Sequence, residues 1–423
     1  MKSLSELDKQ TIWHPFTSLA SEDQPILITS GEGVYLVSHD GRKIIDAVSS
    51  WWVNIHGHSN AHIANAIARQ ALQLEHVIFA GFTHQPAIDL SQNLLKILPK
   101  NQKRIFFSDN GSTAVEVGLK MAMQYWYNSG VRKRKVVAIQ GAYHGDTFGS
   151  MSVGERGIFT DPFSNYLFET AFLDFPDGSN DEAVLNQFKA IAGNDDVAAF
   201  IYEPLVQGAA GMRIYSTLTL DRILEHAQSR NIICIADEVF TGFGRTGKYF
   251  ASDYLNHKPD IICVSKGITG GVLPLGVTAC TEKIEKAFQT ADPSKTFFHG
   301  HSYTANPIAC AAANASFGLL TSPECQEAIA RISNDHMQFA SRIKHHPRIA
   351  HASYLGTILS IELKTDEATS YLNSSRKKIY DYFINRNILL RPLGNVIYML
   401  PPYVISSKQL EEVYDAIHDF INQ

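Results

Sequence analysis

"DIICVSKGITGG", residues 260–271, runs four apolar residues and a serine into a lysine and then into a glycine-rich turn. A short apolar run without polar alternation is the pattern of a strand buried on both faces. Such a strand usually ends in something small or hydrophobic, yet here it delivers the primary amine of Lys266. Two other runs end the same way: "FIYEP" delivers Glu203, and "IICIADEV" delivers Asp237 and Glu238. Open α/β sheets bind ligands beyond the carboxyl ends of their strands. Three strands that end in ionisable groups on one edge outline a site.

The surrounding sequence alternates short apolar runs with helical periodicity, which predicts βαβ units and a mostly parallel central sheet. Strands are expected at Arg104–Ser108, Lys135–Gln140, Val197–Tyr202, Ile232–Asp237, Ile261–Ser265 and Gly276–Cys280. Helices are expected at Ser112–Ser129, Thr217–Arg230 and Asn306–Leu320. Residues 34–48 read as a hairpin turning at Ser38–Gly41. Beyond Ser322 come a long helix, an alternating strand at Thr357–Leu363, another helix, and a strand pair around "LLRPLGNVIYML". The predicted fold class is therefore α/β, a large domain with a mostly parallel sheet plus a small α+β domain. The expected divisions are 1–54 packing with the small domain, 55–321 as the large domain, and 322–423 as the small one.

The chain has 423 residues, 45% hydrophobic and 19% charged, with a formal net charge of −5. This composition fits an ordinary globular protein and gives no electrostatic reason to expect nucleic acid or an anionic membrane as partner. No apolar stretch approaches the ~20 residues that span a bilayer, and the first residues lack a secretory pattern. The five cysteines are scattered and never in CxxC spacing. They read as reduced core thiols, so a cytoplasmic location is expected. The seventeen histidines include no HExxH, and no metal is expected.

Asp237 should be mostly buried, and a buried carboxylate needs a partner. A structural ion pair would satisfy it, and so would a cationic ring nitrogen. Lys266 favours the ring, because an amine that attacks a carbonyl must be unprotonated and an enclosed pocket lowers its pKa. "SDNGSTAVEVGLKMA" (108–122) turns from a strand into a helix, whose first N–H groups and dipole suit a phosphate. Gly111 permits close approach there, and the hydroxyls of Ser112 and Thr113 can add bonds. Ordinary capping with Glu116 is the plainer reading of that stretch. "GAYHGDTFGSMSVG" (141–154) places Tyr143, with His144 beside it, where an aromatic face could stack on a ring or simply fill core. A phosphate cradle, a stacking aromatic, a buried acid and a tethering lysine are together the demands of pyridoxal phosphate.

"IADEVFTGFGRTGKYFA" (235–251) followed by "PDIICVSKGITGG" (259–271) resembles the class III (ω) aminotransferases, and similar stretches run along nearly the whole chain. The resemblance implies pyridoxal phosphate enzymes of fold type I that act as homodimers. Gly111, Ser112 and Thr113 would bind the phosphate, with Ser302 contributed by the second subunit. Tyr143 would stack on the ring, Asp237 would pair with its nitrogen, Lys266 would be the covalent tether, and Glu203 would lie nearby. "DAVSSWWVNIHGH" (46–58) and "RPLGNVIYMLPPY" (391–403) are most similar to members that aminate 8-amino-7-oxononanoate in biotin biosynthesis, with S-adenosylmethionine or lysine as amino donor. In them Trp51, Trp52, Phe16 and Gly300 would line the substrate path. Arg391 would bind the substrate's terminal carboxylate, with Arg245 close by and Tyr398 shaping the pocket. The alternative within the class is an ω-aminotransferase for ornithine, 4-aminobutyrate or a diamine.

Three departures concern the donor. Phe16 stands where adenosylmethionine-using members usually have tyrosine, and His301-Ser302 stands where they often have Pro-Thr. "GGVLPL" (270–275) is less polar than usual. These features resemble relatives that use lysine, whereas Trp51-Trp52 and "HGDTFG" (144–149) resemble those that use S-adenosylmethionine, which is the expected donor.

Overall fold

A computed structural model describes residues 3–21 and 23–423. After a helix at Leu4–Thr11 come three strands: β1 (Ile28–Glu32), β2 (Tyr35–Ser38) and β3 (Lys43–Asp46). The hairpin expected at 34–48 is the antiparallel pair β2–β3. The central sheet is built from β4 (Gln102–Ser108), β5 (Lys135–Ile139), β6 (Thr170–Leu173) and β7 (Val197–Tyr202). After a short ribbon, β8 (Val206–Gln207) and β9 (Arg213–Ile214), it is completed by β10 (Ile233–Asp237), β11 (Ile261–Val264) and β12 (Gly276–Thr281).

The strand order is β4-β12-β11-β10-β7-β5-β6. Only β12 runs antiparallel to its neighbours, so the carboxyl ends of β4, β5, β7, β10 and β11 share one edge. Every residue of β7, β10 and β11 is buried, as expected for strands covered by helices on both faces. The helix Gly111–Asn128 and its apolar neighbours cover one face. The larger apolar core lies on the other and continues to the C-terminal helix Ser407–Ile421.

β6 was not expected. It is a four-residue edge strand with half-buried residues, too short and too mixed for its pattern to stand out. The strand pair expected around "LLRPLGNVIYML" needs correction. Its two strands, β15 (Ile388–Leu389) and β16 (Val396–Met399), join different sheets. β15 runs parallel to β3, whereas β16 pairs with β14 (Ile358–Leu363), which follows β13 (Ile349–Leu355). Pro392 has no N–H for a ladder, and the chain turns sharply at the Leu393–Val396 bridge. The N-terminal strands thus share a sheet with C-terminal residues, and Leu400 N donates to Ala47 O at 3.0 Å. Among the described residues, no helix is long and apolar enough to cross a membrane.

Candidate active site

At the carboxyl edge of the central sheet lies a cavity of about 580 Å³, lined by Gly111, Ser112, Tyr143, Glu203, Asp237 and Lys266 among others. With Trp52, which also lines it, seven of the sequence-predicted residues therefore meet in one space.

The helix after β4 begins at Gly111, and its cap is Asn110 rather than a serine or threonine. Asn110 Oδ1 accepts the N–H of Thr113 at 3.0 Å, and Thr113 Oγ1 accepts the N–H of Asn110 at 3.1 Å. Thr113 also donates its hydroxyl to Asp109 Oδ1 at 2.8 Å. It is thus engaged in the cap and does not line the cavity, contrary to its expected place in the cradle. Gly111 and Ser112 do line it, at the helix start whose first N–H groups have no intrahelical acceptor. Glu116 does not cap its own helix. Its Oε1 accepts the N–H of Gly149 at 2.7 Å and of Ser150 at 3.1 Å, fixing the next helix, Phe148–Val153.

The loop after β5 closes over this cradle. Asp146 N donates to Ser112 Oγ at 3.1 Å, and Gly145 makes the approach possible. Gly145 has φ +122°, and a Cβ there would sit 2.0 Å from Ser112 Oγ. Gly276 plays a similar part from β12, where a Cβ would lie 2.3 Å from Asn110 O. Tyr143 donates its hydroxyl to Asp146 Oδ2 at 2.9 Å. Burial, reinforced by the Asp146 carboxylate, pushes its phenol pKa up.

Asp237 and His144 are both buried, with His144 Nδ1 2.7 Å from Asp237 Oδ2. The other oxygen, Oδ1, accepts the N–H of Val239 at 3.0 Å. Glu238, the next residue, faces away. Its carboxylate accepts the N–H groups of Ala251 and Ser252 at 3.0 and 2.7 Å and pins that loop. Glu203 accepts the N–H groups of Tyr143 and Gly208 at 3.0 and 2.9 Å. Burial pushes its pKa up to about 7, partly opposed by His144.

Lys266 adopts φ +43°, unusual for a residue with a Cβ. Its Nζ lies 4.6 Å from the Trp52 ring centre and 5.7 Å from that of Phe240. Burial lowers the amine to about 8 against the pull of Asp237 and Glu203 towards the charged form.

A second cluster continues outward from Trp52. Trp52 Nε1 donates to Tyr398 Oη at 3.0 Å. The Arg391 guanidinium stacks 4.1 Å over Trp51, and Phe16 meets Trp51 edge-on with centroids 5.6 Å apart. Arg245 is fully buried and holds main chain: it donates to Leu400 O, Pro401 O and Trp52 O at 3.3, 3.0 and 3.3 Å. Both its terminal nitrogens are thus engaged within the protein. Gly300 and Ser302 lie in an exposed loop and do not line their own chain's cavity.

Sequence reasoning gave no role to His144, Asp146 or Phe240. The signal for the first two was available, since both stand in a polar loop directly after a strand. Phe240 has no local signal that sets it apart from the core aromatics around it.

The residues fit pyridoxal phosphate: a helix start cleared by glycine for a phosphate, an aromatic beside it, a buried acid, and an amine of lowered basicity. Fold and site together define a class III aminotransferase. The family model for Aminotransferase class-III matches residues 17–421, and the chain belongs to that family. It is 47% identical over 420 residues to the adenosylmethionine-8-amino-7-oxononanoate aminotransferase of Synechococcus elongatus, covering 97% of this chain and 98% of that one. The solved structure of the enzyme of that name from Methanocaldococcus jannaschii has TM-score 0.94 and 34% identity, covering 99% of this chain and 98% of that one. An amine transaminase from an uncultivated Pseudomonas species, solved in its PLP-bound form, has TM-score 0.91 and 30% identity, covering 96% and 97%.

Proposed function

We propose that this chain is a pyridoxal-phosphate-dependent aminotransferase that converts 8-amino-7-oxononanoate to 7,8-diaminononanoate in biotin biosynthesis, with S-adenosylmethionine as amino donor. The observation that carries it is the Lys266 amine, lowered to about 8 in the cavity that also holds the Asp237–His144 pair. The substrates follow the names of the relatives at up to 47% identity.

When bound, pyridoxal phosphate supplies an aldehyde for covalent attachment of amines and a ring that withdraws electrons from the neighbouring carbon. Gly111 and Ser112 would hold its phosphate, Tyr143 its ring face and Asp237 its protonated ring nitrogen. His144 orients the Asp237 carboxylate. Lys266 Nζ is the tether, and once free it carries the proton from the donor carbon and later to the acceptor carbon. Glu203 fixes the loop through the Tyr143 N–H. The acceptor's keto carbon gains the amino group while the donor's amine-bearing carbon leaves as a ketone, so the exchange needs no external oxidant. Arg391, stacked on Trp51, would clamp the acceptor's terminal carboxylate, for which a planar guanidinium is suited.

The reading includes a homodimer in which the loop carrying Gly300 and Ser302 completes the site of a second copy. The exposure of Trp13, Phe298 and Tyr303 supports it. A cytoplasmic location is supported by five free cysteines.

The test is a pair of single-turnover absorbance experiments on purified holoenzyme, one with S-adenosylmethionine and one with lysine. Bleaching of the cofactor band by S-adenosylmethionine alone is expected. Bleaching by lysine alone would overturn the donor, and bleaching by neither would overturn the donor half of the reaction.

A further inference from the structure

The segment that carries the tandem tryptophans is strained. Ser49, Ser50 and Trp52 have φ of 51, 59 and 69°. Ser50, at φ 59 and ψ −78°, lies near the rarest γ-turn geometry, which residues with a Cβ avoid. Such conformations persist only where the surroundings over-determine them, and they concentrate at ligand clamps. Here the surroundings converge on one acid. Asp46, at the end of β3, is fully buried. Its Oδ2 accepts the Ser50 N–H at 2.6 Å, the Ser50 hydroxyl at 2.9 Å and the His58 ring nitrogen Nε2 at 2.9 Å. Its Oδ1 accepts the Val48 N–H at 3.3 Å. Asn54 fixes the His58 ring from the other side, with Nδ2 3.0 Å from Nδ1. The far end of the segment is tied to the C-terminal region through Ser49 Oγ to Leu400 O at 2.8 Å and through the Arg245 bond to Trp52 O.

The result of this backbone path is a division of labour between adjacent indoles. Trp52 turns inward beside Lys266, and Trp51 turns outward beneath Arg391. A relaxed backbone at Ser50 would rotate one ring relative to the other.

We propose that Asp46 is a positioning residue for the acceptor path: its carboxylate holds Ser50 in the strained turn and thereby sets Trp51 and Trp52 against the two ends of a long aliphatic keto acid. This rests on the function proposed above. Asp46 touches neither the cofactor cavity nor Arg391 directly, so its effect falls on acceptor recognition and leaves cofactor capture alone.

The experiment compares Asp46→Asn, Ser50→Ala and the double variant Asp46→Asn/Ser50→Gly as holoenzymes. Ser50→Ala removes a single hydroxyl at a partly exposed position, so it reports even where a buried Asn fails to fold. Expected for Asp46→Asn is a rise in acceptor KM of about tenfold, the scale of one lost hydrogen bond to a charged group, with kcat and the cofactor absorbance near wild type. Ser50→Ala gives a smaller rise. Glycine adopts the Ser50 geometry without help, so the double variant recovers part of the loss. Binding of a saturated nine-carbon carboxylate, followed by quenching of tryptophan emission, weakens in the same order. Unchanged KM and unchanged quenching in both single variants would overturn the proposal. So would a KM rise matched by equal loss of bound cofactor, or no recovery in the double variant. Should wild type fail to turn over 8-amino-7-oxononanoate, the functional reading falls, and the quenching series still decides the role of Asp46.

Discussion

His144 Nδ1 and Asp237 Oδ2 stand 2.7 Å apart in a buried pair at the end of β10. The imidazole fixes one carboxylate oxygen, and the Val239 N–H fixes the other. An acid held at both oxygens is preorganised for a single task, stabilising positive charge at one point in the cavity. Asp237→Asn keeps the shape and removes the charge. Turnover should fall about a hundredfold or more, on the scale of losing a preorganised electrostatic contact, while helix content by circular dichroism stays unchanged. Turnover within a few-fold of wild type would show that Asp237 does not face the ring nitrogen.

Lys266 reaches the neutral form far more readily than a free lysine, because burial lowers it from 10.5 to about 8. The rate at which cofactor-free protein captures pyridoxal phosphate should therefore rise about tenfold per pH unit below that value and level off above it. Stopped-flow absorbance across the pH range measures this directly. A rate still rising steeply near the ordinary lysine value would contradict it.

Glu203 shows the opposite displacement, raised by burial from 4.5 to about 7. The native state keeps a proton that the unfolded chain gives up, so this stabilising contribution is complete below 4.5 and is lost as pH rises through about 7. Glu203→Gln removes the dependence. The Tm of the variant relative to wild type should grow between about pH 5 and about pH 8, by an amount equivalent to at most ~3 kcal/mol. Calorimetry of the cofactor-free proteins checks the sign. A relative Tm that falls over that range would contradict it.

Arg391 stacks on Trp51, and in the proposed function it clamps the acceptor's far carboxylate. Arg391→Ala should raise KM for 8-amino-7-oxononanoate about a hundredfold, as loss of a charge-assisted pair does, with a smaller change in kcat. For a keto substrate lacking the carboxylate, variant and wild type should have the same KM. Intact turnover of 8-amino-7-oxononanoate by the variant would favour the ornithine, 4-aminobutyrate or diamine alternative.

The central sheet was legible because its middle strands are buried on both faces and so read as unbroken apolar runs, as in Ile261–Val264. The meeting of Glu203, Asp237 and Lys266 followed from the same pattern, since parallel strands deliver their terminal residues to one edge. What stayed hidden depends on side-chain direction. Glu238 follows Asp237 in sequence but points into the 251–252 loop. Thr113 reads as a phosphate ligand until its hydroxyl and N–H are found in the cap. Arg245 lies at the 1% level of exposure, bonded to main-chain carbonyls, whereas the resemblance placed it beside Arg391 at the substrate. Nor does any local pattern announce the turn at Ser49–Trp52, because its strain is imposed by residues as distant as Leu400.

Borohydride reduction of the coloured holoenzyme, followed by peptide mapping, tests the account most directly. It predicts a single pyridoxyl adduct, on the peptide that contains Lys266. An adduct on any other lysine, or none at all in protein that retains its colour, would contradict it.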